Sequence, residues 1–481
     1  MTQTSETASA VDTSSALVSD RRLTITSVVL LLGAITSILD TTIVNVALDH
    51  LHVVFHASVA STQWISSGYL LALAGVIPIT GWASEHFGAR RVWTAAVAVF
   101  LLGSVLCGLS WNLPSLIGFR VLQGVGGGMV LPVTITILTR AAGPARLSKA
   151  IAAIGIPAQL GPILGPVIGG ALVSSVSWRW LFFVNVPLCV AALVLAPRLL
   201  PTADGLSRAE RAAHPFDLVG FVLLTPGLVG LAYGISRAGG DGGFTAFDTW
   251  GPMAAGVGLV LGFVVYSLRV RRRAPLVDVR PFRRRSFGLA GVITFVGGFS
   301  TYSAMFLLPL FYQQIRGDST FATGLLLIPQ GLGTVTYFVL NGRLKGRIEP
   351  KWIVVTGGIL TMLGLVPFTM ASASGHDVLQ LVGQYVLGLG SGAVLMTIMT
   401  LAFADLTHAE IPRAGTAFSI VQRVGAPFGV TVIAVLLEGA VSRAGSSPAA
   451  AAAAFGQTFW WVLAFGLVPL VLGFLLPRTR R

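Results

Sequence analysis

Long apolar segments alternate with short polar segments along nearly the whole chain. A helix needs about 20 mainly apolar residues to cross the hydrocarbon of a membrane. By that measure the pattern predicts fourteen spans, with ends defined to within a few residues. They lie near residues 24–48, 62–83, 92–110, 113–139, 148–173, 180–200, 215–235, 250–270, 287–311, 321–342, 352–372, 378–403, 412–437 and 455–476. The chain is therefore predicted to be an all-α polytopic membrane protein.

Composition agrees with a membrane protein and narrows the alternatives. With 54% hydrophobic and 10% charged residues and a mean hydropathy of +0.82, the chain has more apolar surface than one soluble core could bury. The polar start lacks the features of a signal peptide, so a loose tail is expected at 1–22. Cys107 and Cys189 both lie inside apolar segments, which indicates neither a disulfide framework nor a metal site.

The net charge of +14 is explained by membrane topology rather than by nucleic-acid binding. If the N-terminus is cytoplasmic, 26 of the 32 Lys and Arg residues fall in cytoplasmic loops and tails, and 4 fall in outer loops. The remaining two, Arg120 and Arg423, lie within spans. Cytoplasmic loops of membrane proteins carry an excess of basic residues. Both termini are therefore predicted to be cytoplasmic.

An internal similarity predicts a duplicated architecture. The loop after the second span reads GWASEHFGARR, and the equivalent loop of the later spans reads GRLKGRIEPKW. We expect two six-helix bundles with two inserted helices between them. The predicted segments are a tail at 1–22, an N-terminal bundle at 23–200, the inserted pair with basic linkers at 201–285, a C-terminal bundle at 286–477 and a tail at 478–481.

Asp40 stands out because it places a carboxylate inside the first span. Acidic residues in spans are costly and usually face a bundle interior or a water-filled cavity. Asp40 lies eight residues from the expected outer end at Leu48, and Arg120 lies seven from the outer end at Leu113. At about 1.5 Å per residue, both lie roughly 10–12 Å below the outer surface. The two side chains can therefore occupy one layer of the membrane.

Seven segments resemble the fourteen-spanner drug:proton antiporters of the major facilitator superfamily, and together they extend over nearly the whole chain. In chain order these segments are LDTTIVNVAL, GWASEHFGARR, GFRVLQGVGGG, GIPAQLGPILGPVIGG, WRWLFFVNVP, LPLFYQQIRGDSTFATGLLLIPQG and QRVGAPFG. The resemblance implies a major-facilitator fold and proton-driven export by alternating access. It also implies a proton-titrating or cation-recognising role for Asp40, which Arg120 would tune. A static ion pair, or hydrogen bonds from Asp40 to neighbouring Thr and Asn residues, is the structural alternative.

The loop after the second span is implied by the resemblance to latch helix ends and gate the conformational change. Its expected residues are Gly81, Glu85, Gly88, Arg90 and Arg91. The sequence departs from the family pattern, because Glu85 replaces the usual Asp and Ala89 replaces a usual basic residue.

The fifth span is rich in glycine and proline. The resemblance makes it the antiporter-specific segment at the interface between the bundles, and a kinked, closely packed helix is the alternative interpretation. Its residues are Gly155, Gly161, Pro162, Gly165, Pro166, Gly169 and Gly170.

Aromatic and amide side chains in several spans are candidates for a substrate cavity, since aromatic faces suit flat or cationic organic molecules. They are Asn45, Trp64, Tyr69, Gln159, Tyr302, Phe306, Gln330 and Gln422. No metal is expected, because the outer-loop histidines His50, His52 and His56 lack a Cys or acidic cluster beside them. The segment GVGGG lies within a span and is interpreted as close helix packing, not as a nucleotide site.

These observations predict a non-enzymatic proton-coupled antiporter of the inner membrane that exports amphipathic organic compounds. No cofactor, nucleotide or nucleic acid is expected; protons, membrane lipids and a small-molecule substrate are the expected partners. A dedicated exporter of one endogenous metabolite, antibiotic or lipid is the alternative. A receptor or scaffold that keeps the fold without transport is a third possibility.

Overall fold

A computed structural model describes residues 20–57, 59–201, 216–238, 246–270, 275–344, 347–370, 377–404, 406, 410–444 and 447–476. Within these ranges some side chains lie outside the description, and those of Asn45, Gln159, Pro162 and Pro166 are among them. In the described ranges the chain forms helices joined by short turns, with no β-strand.

Sixteen described helices can be followed in chain order. They are α1 (Asp20–Val54), α2 (Val59–Val76), α3 (Ile79–Phe87), α4 (Ala89–Gly108), α5 (Leu113–Ser175), α6 (Trp180–Phe183), α7 (Asn185–Leu199), α8 (Leu218–Ala238), α9 (Phe247–Arg269), α10 (Arg285–Leu310), α11 (Thr320–Leu326), α12 (Ile328–Leu344), α13 (Pro350–Thr369), α14 (Asp377–Ala404), α15 (Ile411–Ala444) and α16 (Pro448–Phe474). A 3-10 turn precedes α10 at Arg280–Arg283, and a π-helical turn follows it at Phe311–Ile315.

Most of these helices are long enough to cross a membrane. Among the described residues, 12 helices meet the length and hydropathy required, or up to 13 when the bent pair α2–α3 counts as one span. That pair bends by 55° beside Pro78, which has no backbone N–H to continue the helix. The chain is a multi-pass membrane protein. The count falls one short of the fourteen predicted spans, and the difference lies in α5.

Helix α5 contains 63 residues and would be about 95 Å long if it were straight, roughly three times the thickness of the hydrocarbon. Two distant parts of it contact the same stretch of α1. Gly127 lies against Ser37, and Gly165 lies against Thr42. The helix must therefore reverse its direction between these two glycines. The predicted fifth span, 148–173, is the returning half of α5.

Helix contacts divide most of the chain into two groups. In the first group α1, α2, α4, α5 and α7 pack around shared apolar cores, and in the second α10 and α12–α16 do the same. These groups lie within the predicted segments 23–200 and 286–477. Helices α8 and α9 pack on each other, and α8 also contacts α2 of the first group and α15 of the second. We refer to the groups as the N-terminal and C-terminal bundles.

Candidate functional site

Helix α1, which carries Asp40, continues through a polar stretch, and the threonine hydroxyl groups there donate hydrogen bonds to backbone carbonyls of the same helix. Thr41 donates to the carbonyl of Ile38 at 2.7 Å, and Thr42 donates to that of Leu39 at 2.9 Å. Such back-bonding satisfies Thr side chains where water is absent. The Asp40 side chain is fully buried.

The Asp40 carboxylate accepts hydrogen bonds from three side chains. Arg120 Nη1 donates to Oδ2 at 2.5 Å, Gln123 Nε2 donates to Oδ1 at 2.9 Å, and Asn185 Nδ2 donates to Oδ1 at 3.3 Å. Arg120 and Gln123 come from α5 and Asn185 from α7. The carboxylate charge is therefore compensated by one guanidinium and stabilised by two amides. We call these four residues the Asp40 cluster.

Arg120 is fixed by further contacts as well as by Asp40. Its Nε donates to the backbone carbonyl of Ile65 at 3.2 Å, and its Nη1 also donates to Gln123 Oε1 at 2.8 Å. The guanidinium carbon lies 4.1 Å from the ring centroid of Tyr69, within the range of a cation–π contact. The cluster thus connects α1 and α5 to α2. Loss of the carboxylate charge would remove one of several restraints on Arg120.

The position of Arg120 follows from the way α5 begins. Asn112 caps this helix, accepting from the backbone N–H of Ser115 at 2.8 Å, while the Ser115 hydroxyl accepts from the Asn112 N–H at 3.2 Å. This capping box fixes the first turn. Arg120 and Gln123 are three residues apart and therefore share one helix face. Both side chains are directed at Asp40.

Two members of the Asp40 cluster were not among the residues predicted from the sequence. Gln123 lies in GFRVLQG, three residues after Arg120, and that spacing was a usable signal for a shared face. Asn185 gave no comparable signal. Its Nδ2 also donates to Ser104 at 3.1 Å, and its buried Oδ1 has no hydrogen-bond partner among the described residues.

Glycines of α5 allow the helices around the cluster to approach closely. A Cβ atom at Gly127 would lie 2.6 Å from the Tyr69 hydroxyl, and one at Gly126 would lie 2.7 Å from the backbone carbonyl of Ala96. Helix interfaces in membranes favour small residues for this reason. The interpretation of GVGGG as close helix packing is confirmed.

The second half of α5 packs on the same stretch of α1 that carries Asp40. A Cβ at Gly161 would lie 2.5 Å from Ile38, and one at Gly169 would lie 3.0 Å from the carbonyl of Ile43. Thr42 donates to the carbonyl of Gly161 at 3.2 Å. These glycines thus contact α1 of their own bundle, and the place of the fifth span at the interface between the bundles stays a prediction.

Only one of the described fifth-span glycines predicted from the sequence contacts the C-terminal bundle. A Cβ at Gly155 would lie 2.9 Å from the ring of Phe338 on α12, whereas one at Gly170 would meet no atom within 4 Å. The side chains of Pro162 and Pro166 lie outside the description.

The predicted gating loop lies where the two bundles meet. Glu85 of α3 accepts two hydrogen bonds from Arg413 of α15, from Nε at 2.9 Å and from Nη2 at 2.6 Å. Nearby, the hydroxyls of Thr80 and Thr416 lie 3.2 Å apart. The Glu85 and Arg413 side chains are only 15% and 16% exposed, so this ion pair is largely shielded from solvent. This pair joins the bundles at the predicted cytoplasmic end.

The other predicted loop residues support the local geometry. Gly88 has a φ of 87° between α3 and α4, a conformation that favours glycine. Arg90 donates to the carbonyl of Pro197 at 3.2 Å, Gly81 is buried, and Arg91 is exposed.

Two aromatic residues predicted to line the cavity lie near the Asp40 cluster or α8. Tyr69 is buried, with its hydroxyl 3.4 Å from Ser37. Trp64 is 37% exposed, with its ring centroid 5.9 Å from that of Tyr233 on α8. The side chains of Asn45 and Gln159 lie outside the description.

The remaining predicted cavity residues belong to the C-terminal bundle. Tyr302 is 37% exposed, and Phe306 packs against the apolar core of that bundle. Gln330 and Gln422 are partly buried. The predicted proton-coupling and cavity residues are thus distributed over both bundles. Among those whose side chains the structure describes, Asp40, Arg120 and Tyr69 share one set of contacts.

A small open cleft lies between α2, α8 and α15. Its lining is apolar apart from one cation, and none of the eight residues predicted for the cavity belongs to it. The lining residues are Ala74, Ile77, Leu228, Leu231, Ala232, Ile235, Ile420, Arg423 and Val424. The sequence had indicated Arg423 only as a basic residue within a span.

The fold and site define a polytopic membrane protein of two helix bundles, the first of which encloses a buried ion pair. Residues 30–430 match the Major Facilitator Superfamily, and the chain belongs to that family of transporters. The multidrug resistance protein B homolog of Mycobacterium tuberculosis (strain H37Rv) is 37% identical over 414 residues, which is 86% of this chain and 76% of that protein. The resemblance found in the sequence motifs is confirmed.

Solved structures show the same fold at low sequence identity. The human organic anion transporter MFSD10 (TETRAN) aligns with a TM-score of 0.66 and 14% identity, over 94% of this chain and 99% of that one. The proton:xylose symporter XylE aligns with a TM-score of 0.65 and 14% identity, over 96% and 97%. The two-bundle architecture is therefore that of the major facilitator fold.

Proposed function

We propose that the protein is a proton-coupled antiporter that exports amphipathic organic compounds by alternating access. The observation that carries this proposal is the buried Asp40 carboxylate, held by Arg120, Gln123 and Asn185. Acidic residues buried within membrane spans mark proton relays and substrate pathways. The 37% identical relative, named a multidrug resistance protein, supports a broad range of exported compounds.

Protonation would change the contacts of the Asp40 cluster in a defined way. A proton on the carboxylate removes the negative charge that holds Arg120 Nη1 and turns an acceptor into a donor. Arg120 then keeps its bonds to the Ile65 carbonyl and to Gln123. The attachment of α1 to α5 weakens while that of α5 to α2 persists. Proton binding can therefore shift the relative positions of helices that line the space between the bundles.

The contact between Glu85 and Arg413 would hold the predicted cytoplasmic end closed in this conformation. Opening that end requires this partly buried pair to separate. Alternating access then consists of separating Glu85 from Arg413 to admit substrate and reforming the pair as the opposite end opens. In this scheme protons enter from outside and substrate leaves the cell, in an inner membrane with both termini cytoplasmic.

Transport by purified protein in liposomes tests this function. A pH gradient imposed across the vesicles should drive uphill movement of at least one compound in a chemically diverse panel. A dedicated exporter should instead ignore unrelated cationic dyes. If no panel compound moves, the proposed function is wrong.

Asp40→Asn tests the role of the carboxylate, because an amide resembles the protonated acid in shape. We expect loss of gradient-driven transport with retention of substrate exchange under equal pH, since exchange requires no proton to be released. Asp248→Asn is the matched control, because Asp248 is 71% exposed and makes only a 3.7 Å contact with Arg237. Full gradient-driven transport by Asp40→Asn would remove Asp40 from the coupling mechanism.

A further inference from the structure

Arg423 places a second guanidinium deep in the membrane. It follows Arg413 by ten residues on α15, and Arg413 binds Glu85 at the predicted cytoplasmic end. Ten helical residues span about 15 Å, which is roughly half the thickness of the hydrocarbon. A charge at this depth is costly and is normally paired or functional.

The surroundings of Arg423 differ from those of Arg120. Arg120 has a carboxylate, an amide and a backbone carbonyl as acceptors. Arg423 forms no hydrogen bond or ion pair with any residue that the structure describes. Its electrostatic neighbours are the hydroxyl groups of Tyr69 and Tyr302, which are neutral. The donors of Arg423 are therefore available to a ligand.

The cleft beside Arg423 has the polarity expected for one end of an amphipathic ligand. Its walls are aliphatic side chains from α2, α8 and α15, and Arg423 supplies its charged group. Sites for organic molecules are mostly apolar, with a few polar groups that fix the orientation of the ligand. A planar guanidinium binds carboxylate, sulfonate and phosphate groups through paired hydrogen bonds.

Charge balance near the middle of the membrane favours an anion over a cation. Asp40 and Arg120 form an ion pair and contribute no net charge together. Arg423 then leaves this layer with one uncompensated positive charge among its described residues. Tyr69 lies between the two sites, since it packs under Arg120 and also interacts electrostatically with Arg423. A cationic ligand would be repelled, whereas an anion would be attracted.

The depth of Arg423 in the membrane favours a free amphipathic anion over a membrane phospholipid as its ligand. Phospholipid headgroups lie at the interface, about 15 Å from the middle of the hydrocarbon. The acidic group of a phospholipid in its normal position in the bilayer is therefore too far from Arg423. A free organic anion has no headgroup anchored at the interface, so its acidic group can reach this depth.

We propose that Arg423 and the apolar cleft between α2, α8 and α15 form a binding site for the acidic group of an amphipathic organic anion. If the protein is the exporter proposed above, amphipathic organic anions are one class of its substrates, and this part of the inference rests on the proposed function. The aromatic or aliphatic part of the ligand packs against the cleft walls, and its acidic group balances the positive charge of Arg423.

Two dyes with the same ring system test the site. Anilinonaphthalene sulfonate carries the acidic group, and phenylnaphthylamine is the same body without it. The full chain in nanodiscs of zwitterionic lipid is titrated with each dye. We expect Arg423→Gln to weaken sulfonate binding by about tenfold or more, because a charge-assisted hydrogen bond is lost. Arg423→Lys keeps the charge but not the paired donors, so it should lose less sulfonate affinity than Arg423→Gln. Phenylnaphthylamine should bind the unchanged protein and both variants equally.

Arg443→Gln is the matched control, since Arg443 is an exposed arginine on the same helix that donates to the Gly439 carbonyl. Equal sulfonate binding by Arg423→Gln and the unchanged protein would overturn the proposal. Equal loss of both dyes would assign Arg423 a structural role and also overturn it. Displacement of the sulfonate when anionic phospholipid replaces zwitterionic lipid would identify a lipid as the occupant and overturn the assignment of the site to a free organic anion.

These results are separable from the test of export. If the unchanged protein binds the sulfonate through Arg423 but transports no panel compound, the export proposal fails and the binding site stands. If Arg423→Gln still exports neutral and cationic compounds but binds both dyes as the unchanged protein does, the anion site fails and the export proposal stands.

Discussion

In the N-terminal bundle, α1, α5 and α7 surround the buried carboxylate of Asp40, whereas the centre of the C-terminal bundle is filled by rings. Phe311 packs against Phe368 and Phe459 with centroid distances of 6.2 and 6.5 Å. The polar contact in that core is neutral, with Gln384 Nε2 donating to the Tyr312 hydroxyl at 2.8 Å.

This difference separates two roles within a duplicated architecture. A proton can change the charge of the Asp40 cluster, and its contacts reach three helices of the N-terminal bundle. The aromatic core has no group that a proton would alter near neutral pH. In the proposed mechanism the group that responds to protons therefore belongs to the N-terminal bundle and not to this aromatic core.

The largest effect is expected from removing one charge of the buried pair. Asp40→Leu leaves Arg120 buried without its carboxylate, which should lower the free energy of unfolding by about 3–5 kcal/mol. Unfolding of the purified protein in detergent measures this loss. The double variant with Arg120→Leu should recover part of it, because no lone charge remains.

Gln384→Leu is the corresponding variant in the C-terminal bundle, and its loss of stability is to be compared with that of Asp40→Leu. It removes one neutral hydrogen bond to Tyr312, so a loss of only about 1 kcal/mol is expected. Losses of equal size for Asp40→Leu and Gln384→Leu would contradict the contrast between the charged Asp40 cluster and the neutral aromatic core.

An intermediate effect is expected from glycine substitutions, and here the bundles should behave alike. In the N-terminal bundle, a Cβ at Gly165 would overlap Thr42, so Gly165→Ala should cost about 1–3 kcal/mol. Gly170→Ala is its control on the same helix, because a Cβ there meets no atom within 4 Å. Thermal unfolding of the two variants measures the difference.

In the C-terminal bundle, the equivalent pair is Gly388→Ala and Gly342→Ala. A Cβ at Gly388 would overlap the backbone carbonyl of Gln330, whereas one at Gly342 lies in open space. We expect the same order of cost for Gly388→Ala as for Gly165→Ala. A tolerant Gly388 beside an intolerant Gly165 would show that packing, and not only charge, distinguishes the two bundles.

At the contact between the bundles we expect a modest effect on conformation rather than on stability. Glu85→Gln removes the charge that holds Arg413 and should favour separation of the predicted cytoplasmic end by about 1.4 kcal/mol, equivalent to about tenfold. The rate at which a thiol reagent labels Thr416→Cys reports this opening, since Thr416 is buried beside the pair. The native cysteines Cys107 and Cys189 are buried and add little background.

Glu410→Gln is the matched control for the gate. Glu410 pairs with Arg284 at 2.7 Å, and both residues adjoin helices of the C-terminal bundle. Breaking that pair should leave the labelling rate of Thr416→Cys unchanged. An equal increase in both variants would mean that the Glu85 contact does not control the separation of the bundles.

The fold was largely predictable because its dominant signal is local. Each span shows as a run of apolar residues, and the bend at Pro78 leaves that run intact. The reversal inside α5 was also anticipated, because two apolar runs flank the basic segment near Arg146 and Lys149. What the sequence could not indicate was that helical hydrogen bonding continues across that reversal.

The candidate site was predictable only where a residue is unusual for its surroundings. Asp40 and Arg120 are charges within apolar segments, and helix depth placed them in one layer. Asn185 is an ordinary amide whose role depends on how α7 packs beside α1. The partner of Glu85 lies 328 residues away, so no local pattern could have identified Arg413. Arg423 was visible as a charge, but its lack of a partner among the described residues is a property of the tertiary structure.

Helix α8 has a mechanical consequence that follows from its position between the bundles. On one side Thr225 donates to the carbonyl of Gly75 on α2 at 3.2 Å. On the other, Leu224 and Leu228 form a purely apolar contact with α15. Any rocking of one bundle against the other has to shear one of these two interfaces, and an apolar surface slides without breaking a hydrogen bond. Helix α8 would thus move with the N-terminal bundle and slide along α15, and the width of the cleft beside Arg423 would change whenever the two bundles move against each other.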